Sequence, residues 1–104
     1  MSAFFQQVFS IVAEIPYGKV LSYGQIAHYL GSPQSSRMVG WAMHTCPPGL
    51  PWHRVIKKTG ELAFPKDTSA YQTQYRLLKK EGIELLPNGT VDMNRYEWEI
   101  TLSE

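Results

Sequence analysis

Ser22–His44 reads SYGQIAHYLGSPQSSRMVGWAMH, and the fold turns on how this stretch is punctuated. Ser22 stands three residues before Gln25, the spacing at which a hydroxyl caps the first turn of a helix. Gly31, with Pro33 just beyond it, marks where that helix stops. A second helix is expected from about Ser35 to His44, after a tight turn and before CPPGLP (residues 46–51). Two short helices joined by a Gly-containing turn describe a helix-turn-helix, a corner that many small helical proteins share. The composition of the second helix says more. Ser35, Ser36, Gly40 and Ala42 are small, and Arg37 is its only Lys, Arg, Asp or Glu. A helix built to fill a core rarely has this make-up; one that approaches a DNA groove can, with small residues allowing contact and one Arg reaching in.

Outward from this corner the signals are local. Phe5, Val8, Phe9 and Val12 recur at helical spacing, predicting an amphipathic helix from Ser2 or Ala3 to about Ala13. Pro16 and Gly18 break it, and Val20-Leu21 can form a short extended piece. Downstream, Val55-Ile56 suits a short strand and KKTG (57–60) a turn. A further helix is expected over SAYQTQYRLLKKEG (69–82), with Ser69 and Gln72 as a second capping pair, a stripe of Tyr71, Tyr75 and Leu78, and Gly82 as the stop. IELLPNGTVDM (83–93) predicts a hairpin on a type I′ Asn88-Gly89 turn. The tail YEWEITL (96–102) is expected to cross the domain with Trp98 packed inward and carries no assigned function. The expected fold is α/β (α+β): one small domain over residues 1–104, with a winged-helix-like, helix-turn-helix core and short strands.

The 104 residues, 43% of them hydrophobic, suit one globular domain. No apolar run approaches the roughly 20 residues of a membrane helix, and the start lacks the basic segment and cleavage site of a signal peptide. One cysteine, Cys46, excludes an internal disulfide and fits a reducing compartment. The net charge of +1 hides an asymmetry: five basic residues against Glu14 as far as Lys58, then five against eight acids. The first half could meet a polyanion, although scattered solvated charge accounts for the numbers equally well.

Among residues that could carry chemistry, His28, His44, Cys46 and His53 match no zinc spacing. Cys46 follows a helix rather than opening one, so an inert, packed thiol is its ordinary reading. PWHRVI (51–56) has the stiff, basic setting of a reactive side chain, yet indole is neither nucleophile nor base. Trp52 on its own reads as a core aromatic; Pro51, His53 and Arg54 around it favour a pocket wall instead. Tyr23, following an N-cap, either packs or stands where helix N–H groups can hold a phosphate.

IPYGKVLSYGQIA, GSPQSSRMVGWAM, PWHRVI and LLKKEGI, in this order over Ile15–Ile83, resemble the DNA-binding and active-site domain of the O6-alkylguanine-DNA alkyltransferases. The family's nucleophile lies in a Pro-Cys-His-Arg motif, and Trp52 stands at the cysteine position. On a short chain this resembles the alkyltransferase-like proteins, which bind alkylated guanine without repairing it and pass it to nucleotide excision repair. The resemblance implies a base-flipping reader of O6-alkylguanine in double-stranded DNA, with no catalytic residue, no cofactor, no metal and no membrane, acting as a monomer. It implies a lesion pocket of Tyr23, Met43, Trp52, His53 and Val55, the last offering backbone groups to the guanine. DNA contacts would come from Tyr23, Ser36, Arg37, Gly40 and Arg54, with Arg37 filling the vacated stack and Tyr23 pressing on the adjacent phosphate. Two features depart from the pattern: Cys46 replaces the family's asparagine hinge, and ELAFPKD (61–67) replaces its Gly-rich closing loop, where Lys66 could bring a base-side charge. The location would be cytoplasmic at the nucleoid in a bacterium, nuclear in a eukaryote. Two alternatives stay open: an active alkyltransferase using Cys46, and a sequence-specific winged-helix regulator.

Overall fold

A computed structural model of the chain describes residues 3–100. Ser2 as a helix start and the tail beyond Ile100 lie outside them. The first helix, α1 (Ala3–Glu14), buries Val8, Phe9, Ile11 and Val12 as its spacing predicts. Pro16 and Gly18, at φ 84°, turn the chain into β1 (Leu21–Ser22). Ser22 then caps α2 (Tyr23–Tyr29), its Oγ accepting the Gln25 N–H at 3.0 Å. Gly31, at φ 78°, ends the helix, and the Ser32 N–H closes back on the Ala27 carbonyl at 3.0 Å. The connecting turn contains a 3-10 turn, Pro33–Ser35. It takes up Ser35, so α3 (Ser36–His44) begins one residue later than expected.

β2 (Val55–Ile56) pairs parallel to β1, with Leu21 opposite Val55 and Ser22 opposite Ile56. Parallel strands need a crossover between them, and here the helix-turn-helix itself is the crossover. Successive strand residues face opposite sides, so the strand pair separates two cores. On one side Leu21 and Val55 pack with Val12, Ile26, Val39 and Trp98. On the other, Val20 and Ile56 pack with Leu62, Leu78, Ile83 and Val91. The architecture is the expected α+β domain, and the functional corner is tied to both cores through its flanking strands.

Three local expectations are corrected. The helix α4 (Ser69–Lys80) is capped by Thr68 rather than Ser69; Thr68 Oγ1 accepts the Tyr71 N–H at 3.2 Å and donates to the Pro65 carbonyl at 2.7 Å. Its inward face is Gln74 and Leu78, while Tyr75 stays 36% exposed. The 83–93 hairpin forms, with Leu85 bridging Val91, but not on a type I′ turn. The Gly89 N–H bonds the Leu86 carbonyl at 2.8 Å, and among these residues only Gly89 has positive φ. Pro87 occupies the second position of the turn, where its fixed φ favours type I, leaving Gly89 as the bulge residue. Leading into the tail is a short helix the sequence reading passed over, α5 (Met93–Tyr96), begun by Asp92. Beyond it Trp98 packs inward as expected, its N–H on the Val20 carbonyl at 2.8 Å.

Candidate nucleic-acid interface

Tyr23, at the start of α2, and Met43, in the last turn of α3, face Trp52 and Val55 across a cavity of about 270 Å³. This brings together four of the five expected pocket residues. Cys46, His44, Ala63 and Phe64 complete the lining. The volume is close to the lower end for small-ligand pockets, about 300 Å³, and suits a single base. Trp52 and Phe64 meet edge-to-face, ring centres 6.0 Å apart, and form an aromatic corner. Phe64 comes from the ELAFPKD loop and was not anticipated; an aromatic in a loop of unassigned alignment gave no signal. Lys66, the residue singled out there, lines a neighbouring cleft with Asn88 and Gly89 instead.

The fifth expected pocket residue, His53, points away from the cavity. Its Nε2 lies 2.6 Å from Glu81 Oε2. Arg54 makes the same turn: its Nε and Nη2 donate to the Glu81 carboxylate at 2.9–3.1 Å, and Nη1 donates to the Ile15 carbonyl at 2.8 Å. The three side chains are 13%, 16% and 6% exposed for His53, Arg54 and Glu81. Arg54, expected among the DNA contacts, is thus turned into the protein against Glu81 and the Ile15 carbonyl. Burial works against the Glu81 carboxylate, but hydrogen bonds from Arg54, the Gly18 N–H and His53, with the Arg54 charge, outweigh it and hold the carboxyl below its ordinary range. Glu81, just past α4, was read as part of a helix end and of the LLKKEGI segment, with no role of its own; its partners lie 27 and 28 residues away, beyond any local pattern.

Val55 lines the cavity, and its backbone is engaged in part within the fold. Its N–H bonds the Trp52 carbonyl, and its own carbonyl accepts from Gln74 Nε2 at 3.0 Å. Gln74, fully buried, also donates to the His53 carbonyl at 3.1 Å and accepts the Ala63 N–H at 2.9 Å. One amide thus fastens the Trp52 turn to the loop carrying Phe64, fixing two walls of the cavity against each other. In the same cavity, burial pushes the Cys46 thiol up, away from the reactive thiolate, and likewise raises Tyr23, keeping its hydroxyl protonated.

Tyr23 also borders an open groove shared with Ser36, Arg37, Gly40, Trp41, Lys57 and Lys58. Ser36, Arg37 and Gly40 stand together there as expected; Lys57 and Lys58, from the turn after β2, add basic charge, and among the described residues no Asp or Glu lines this face. Gly40 is informative because a methyl group at its Cα would meet nothing within 4 Å. A mid-helix glycine costs stability, and here no internal contact requires it. Gly40→Ala is accordingly expected to raise stability by about 0.5–1 kcal/mol while weakening duplex binding, checked by thermal melting alongside a DNA titration.

Residues 3–83 match the family model of the 6-O-methylguanine DNA methyltransferase, DNA binding domain. The chain belongs to this family. Within the family it is 38% identical to alkyltransferase-like protein 1 of Schizosaccharomyces pombe, over 94% of this chain and 96% of that one. The crystal structure of that yeast protein in complex with damaged DNA containing O6-carboxymethylguanine superposes with a TM-score of 0.82, covering 96% of this chain and 98% of the other. An Escherichia coli DNA base-flipping protein is 39% identical, over 92% of this chain and 74% of its own length. The family's methyltransferases are matched over less of themselves: the Mycobacterium tuberculosis enzyme in complex with DNA has a TM-score of 0.68 at 35% identity, with 78% of this chain covering 50% of it.

Proposed function

We propose that the chain binds O6-alkylguanine in duplex DNA through α3 in the minor groove, rotates the damaged nucleotide into the cavity beneath Trp52, and leaves the alkyl group in place. The observation that carries this reading is the junction at Tyr23, which belongs both to the groove and to the single-base cavity. A base leaving the stack beside Arg37 would pass Tyr23 to reach the aromatic corner. Extrusion costs a few kcal/mol of pairing and stacking, less for a damaged pair, which favours the lesion. The cavity supplies no activated nucleophile: Trp52 replaces the thiol of the reacting family members, and Cys46 is held protonated by burial.

A titration of matched duplexes with and without one O6-methylguanine, followed by intact-mass measurement, tests this reading. Tighter binding of the methylated duplex with no mass gain is expected. A permanent mass gain would instead make Cys46 an acceptor, and equal affinity for both duplexes would remove the lesion pocket from the account. Arg37→Ala is expected to weaken lesion binding by about 1–2 kcal/mol, because the vacated stack loses its plug. A fluorescent base beside the lesion should report less extrusion for Arg37→Ala and Tyr23→Ala alike.

Because the bound lesion keeps its alkyl group, its removal falls to another system, and we assign that to nucleotide excision repair, with the chain acting as a monomer at the nucleoid or in the nucleus. Faster incision of a singly alkylated duplex by an excision nuclease on adding the protein would support this assignment; unchanged incision would remove it.

A further inference from the structure

Trp41 leaves 56% of its surface exposed, while Trp98 packs to 9%. It stands four residues after Arg37 on α3, so the two side chains share one face of the helix. Trp41 borders the open groove together with Arg37 on its own helix and Lys57 and Lys58 from the turn after β2. Beside it Gly40 presents no side chain, leaving the helix free to be approached closely. An apolar ring set among cations, on a face that no carboxylate lines among the described residues, fits a partner whose surface is apolar between two rows of negative charge. The minor groove of duplex DNA has this chemistry: deoxyribose edges form its walls and phosphates flank them.

We propose that Trp41 is a second DNA-contacting wedge, its indole packed against the sugar edges of the minor groove one helical turn along α3 from Arg37, and that it supplies affinity independent of the lesion. The proposal rests on α3 being the DNA-facing helix. One helical turn advances about 5.4 Å and stacked base pairs are about 3.4 Å apart, so Trp41 falls one to two base pairs beyond the step that Arg37 enters. There the duplex is ordinary whether or not a base has been extruded. Arg37 and the Trp52 cavity then discriminate, whereas Trp41 holds the protein on the groove while it does so.

The test is fluorescence-anisotropy titration of unmodified and O6-methylguanine duplexes with Trp41→Ala and Trp41→Phe, each at two salt concentrations. Trp41→Ala is expected to bind both duplexes about tenfold more weakly, so that the preference for the lesion is retained, with Trp41→Phe in between. The salt dependence should be unchanged because no cation is removed. Acrylamide quenching adds a direct readout: unmodified duplex should shield an exposed indole in the unsubstituted protein, and this shielding should be missing from Trp41→Phe. Unchanged affinity of Trp41→Ala for both duplexes would overturn the proposal. So would a loss confined to the alkylated duplex, which would place the indole at the extruded step. Failure of the unsubstituted protein to bind either duplex would instead overturn the reading of α3, and would be seen before any substitution is made.

Discussion

Glu81→Ala is expected to destabilise the fold by about 3 kcal/mol, the lower end of the loss that follows when one partner of a buried ion pair is removed, because the cluster is only partly buried. The carboxylate receives the Arg54 guanidinium, the Gly18 N–H at 2.8 Å and the His53 ring. Its removal leaves an Arg side chain only 16% exposed with the Ile15 carbonyl as its remaining hydrogen-bond acceptor and the Tyr17 ring 5.7 Å beneath it. It also frees the Gly18 turn, which delivers the chain from α1 into β1. For a domain of this size the change corresponds to a melting temperature lower by roughly 15 °C. Glu81→Gln keeps the shape and one acceptor oxygen and should lose about half as much. A melting temperature within a few degrees of the unsubstituted protein would mean that solvent already satisfies Arg54 and His53.

The pH dependence separates charge from packing in this cluster. Glu81 has its carboxyl held below the ordinary glutamate value, so the stability it contributes is complete above the unfolded pKa, about 4.3. It declines as pH falls below that value and is gone once the pH has passed through the depressed folded pKa. The stability difference between the unsubstituted protein and Glu81→Gln should therefore shrink in acid. A difference that does not vary with pH would assign the cluster's contribution to shape and hydrogen bonding alone.

The helix-turn-helix could be read from the chain because its boundaries are written in adjacent residues. Ser22 and Gln25 begin α2 and Gly31 ends it, all within ten residues. The α4 cap was displaced by one position because Thr68 and Ser69 both carry a hydroxyl, and the choice between them is made by the Pro65 carbonyl. Asn88-Gly89 suggested a type I′ turn from its two residues, whereas Pro87 before them decided the geometry. The site shows the same division. Tyr23, Met43, Trp52 and Val55 were placed correctly around one cavity by an aligned motif. His53 and Arg54 were adjacent to that motif yet turned the other way, because Glu81 recruits both from a distant helix end. Phe64 and Gln74 act through contacts across the fold, for which spacing along the chain carries no information.

Removing the indole should have the largest effect on lesion recognition. Trp52→Ala takes away one side of the aromatic corner it forms with Phe64 and opens the cavity toward solvent. An aromatic face stacked on a base contributes about 1–3 kcal/mol, and a base held between few other walls should draw on the upper part of that range, approaching a hundredfold in affinity. Binding to unmodified duplex should barely change, since that contact is made by the groove. Trp52→Cys is the sharper form of the experiment, because on the proposed reading it places a thiol where the family's nucleophile would stand. Displacement at an alkyl carbon requires a thiolate, a base to generate it and alignment to a fraction of an ångström. The Nε2 of the adjacent His53 is held by Glu81 at 2.6 Å on the side away from the cavity. Burial raises the one thiol already lining this space, Cys46, rather than lowering it. A cysteine placed at residue 52 would line the same space as Cys46. Trp52→Cys is therefore expected to bind methylated duplex more weakly than the unsubstituted protein and to show no methyl gain by intact mass after prolonged incubation. Stoichiometric methylation would show instead that His53 can swing to the sulfur, and that the indole alone separates this chain from the reactive branch of its family.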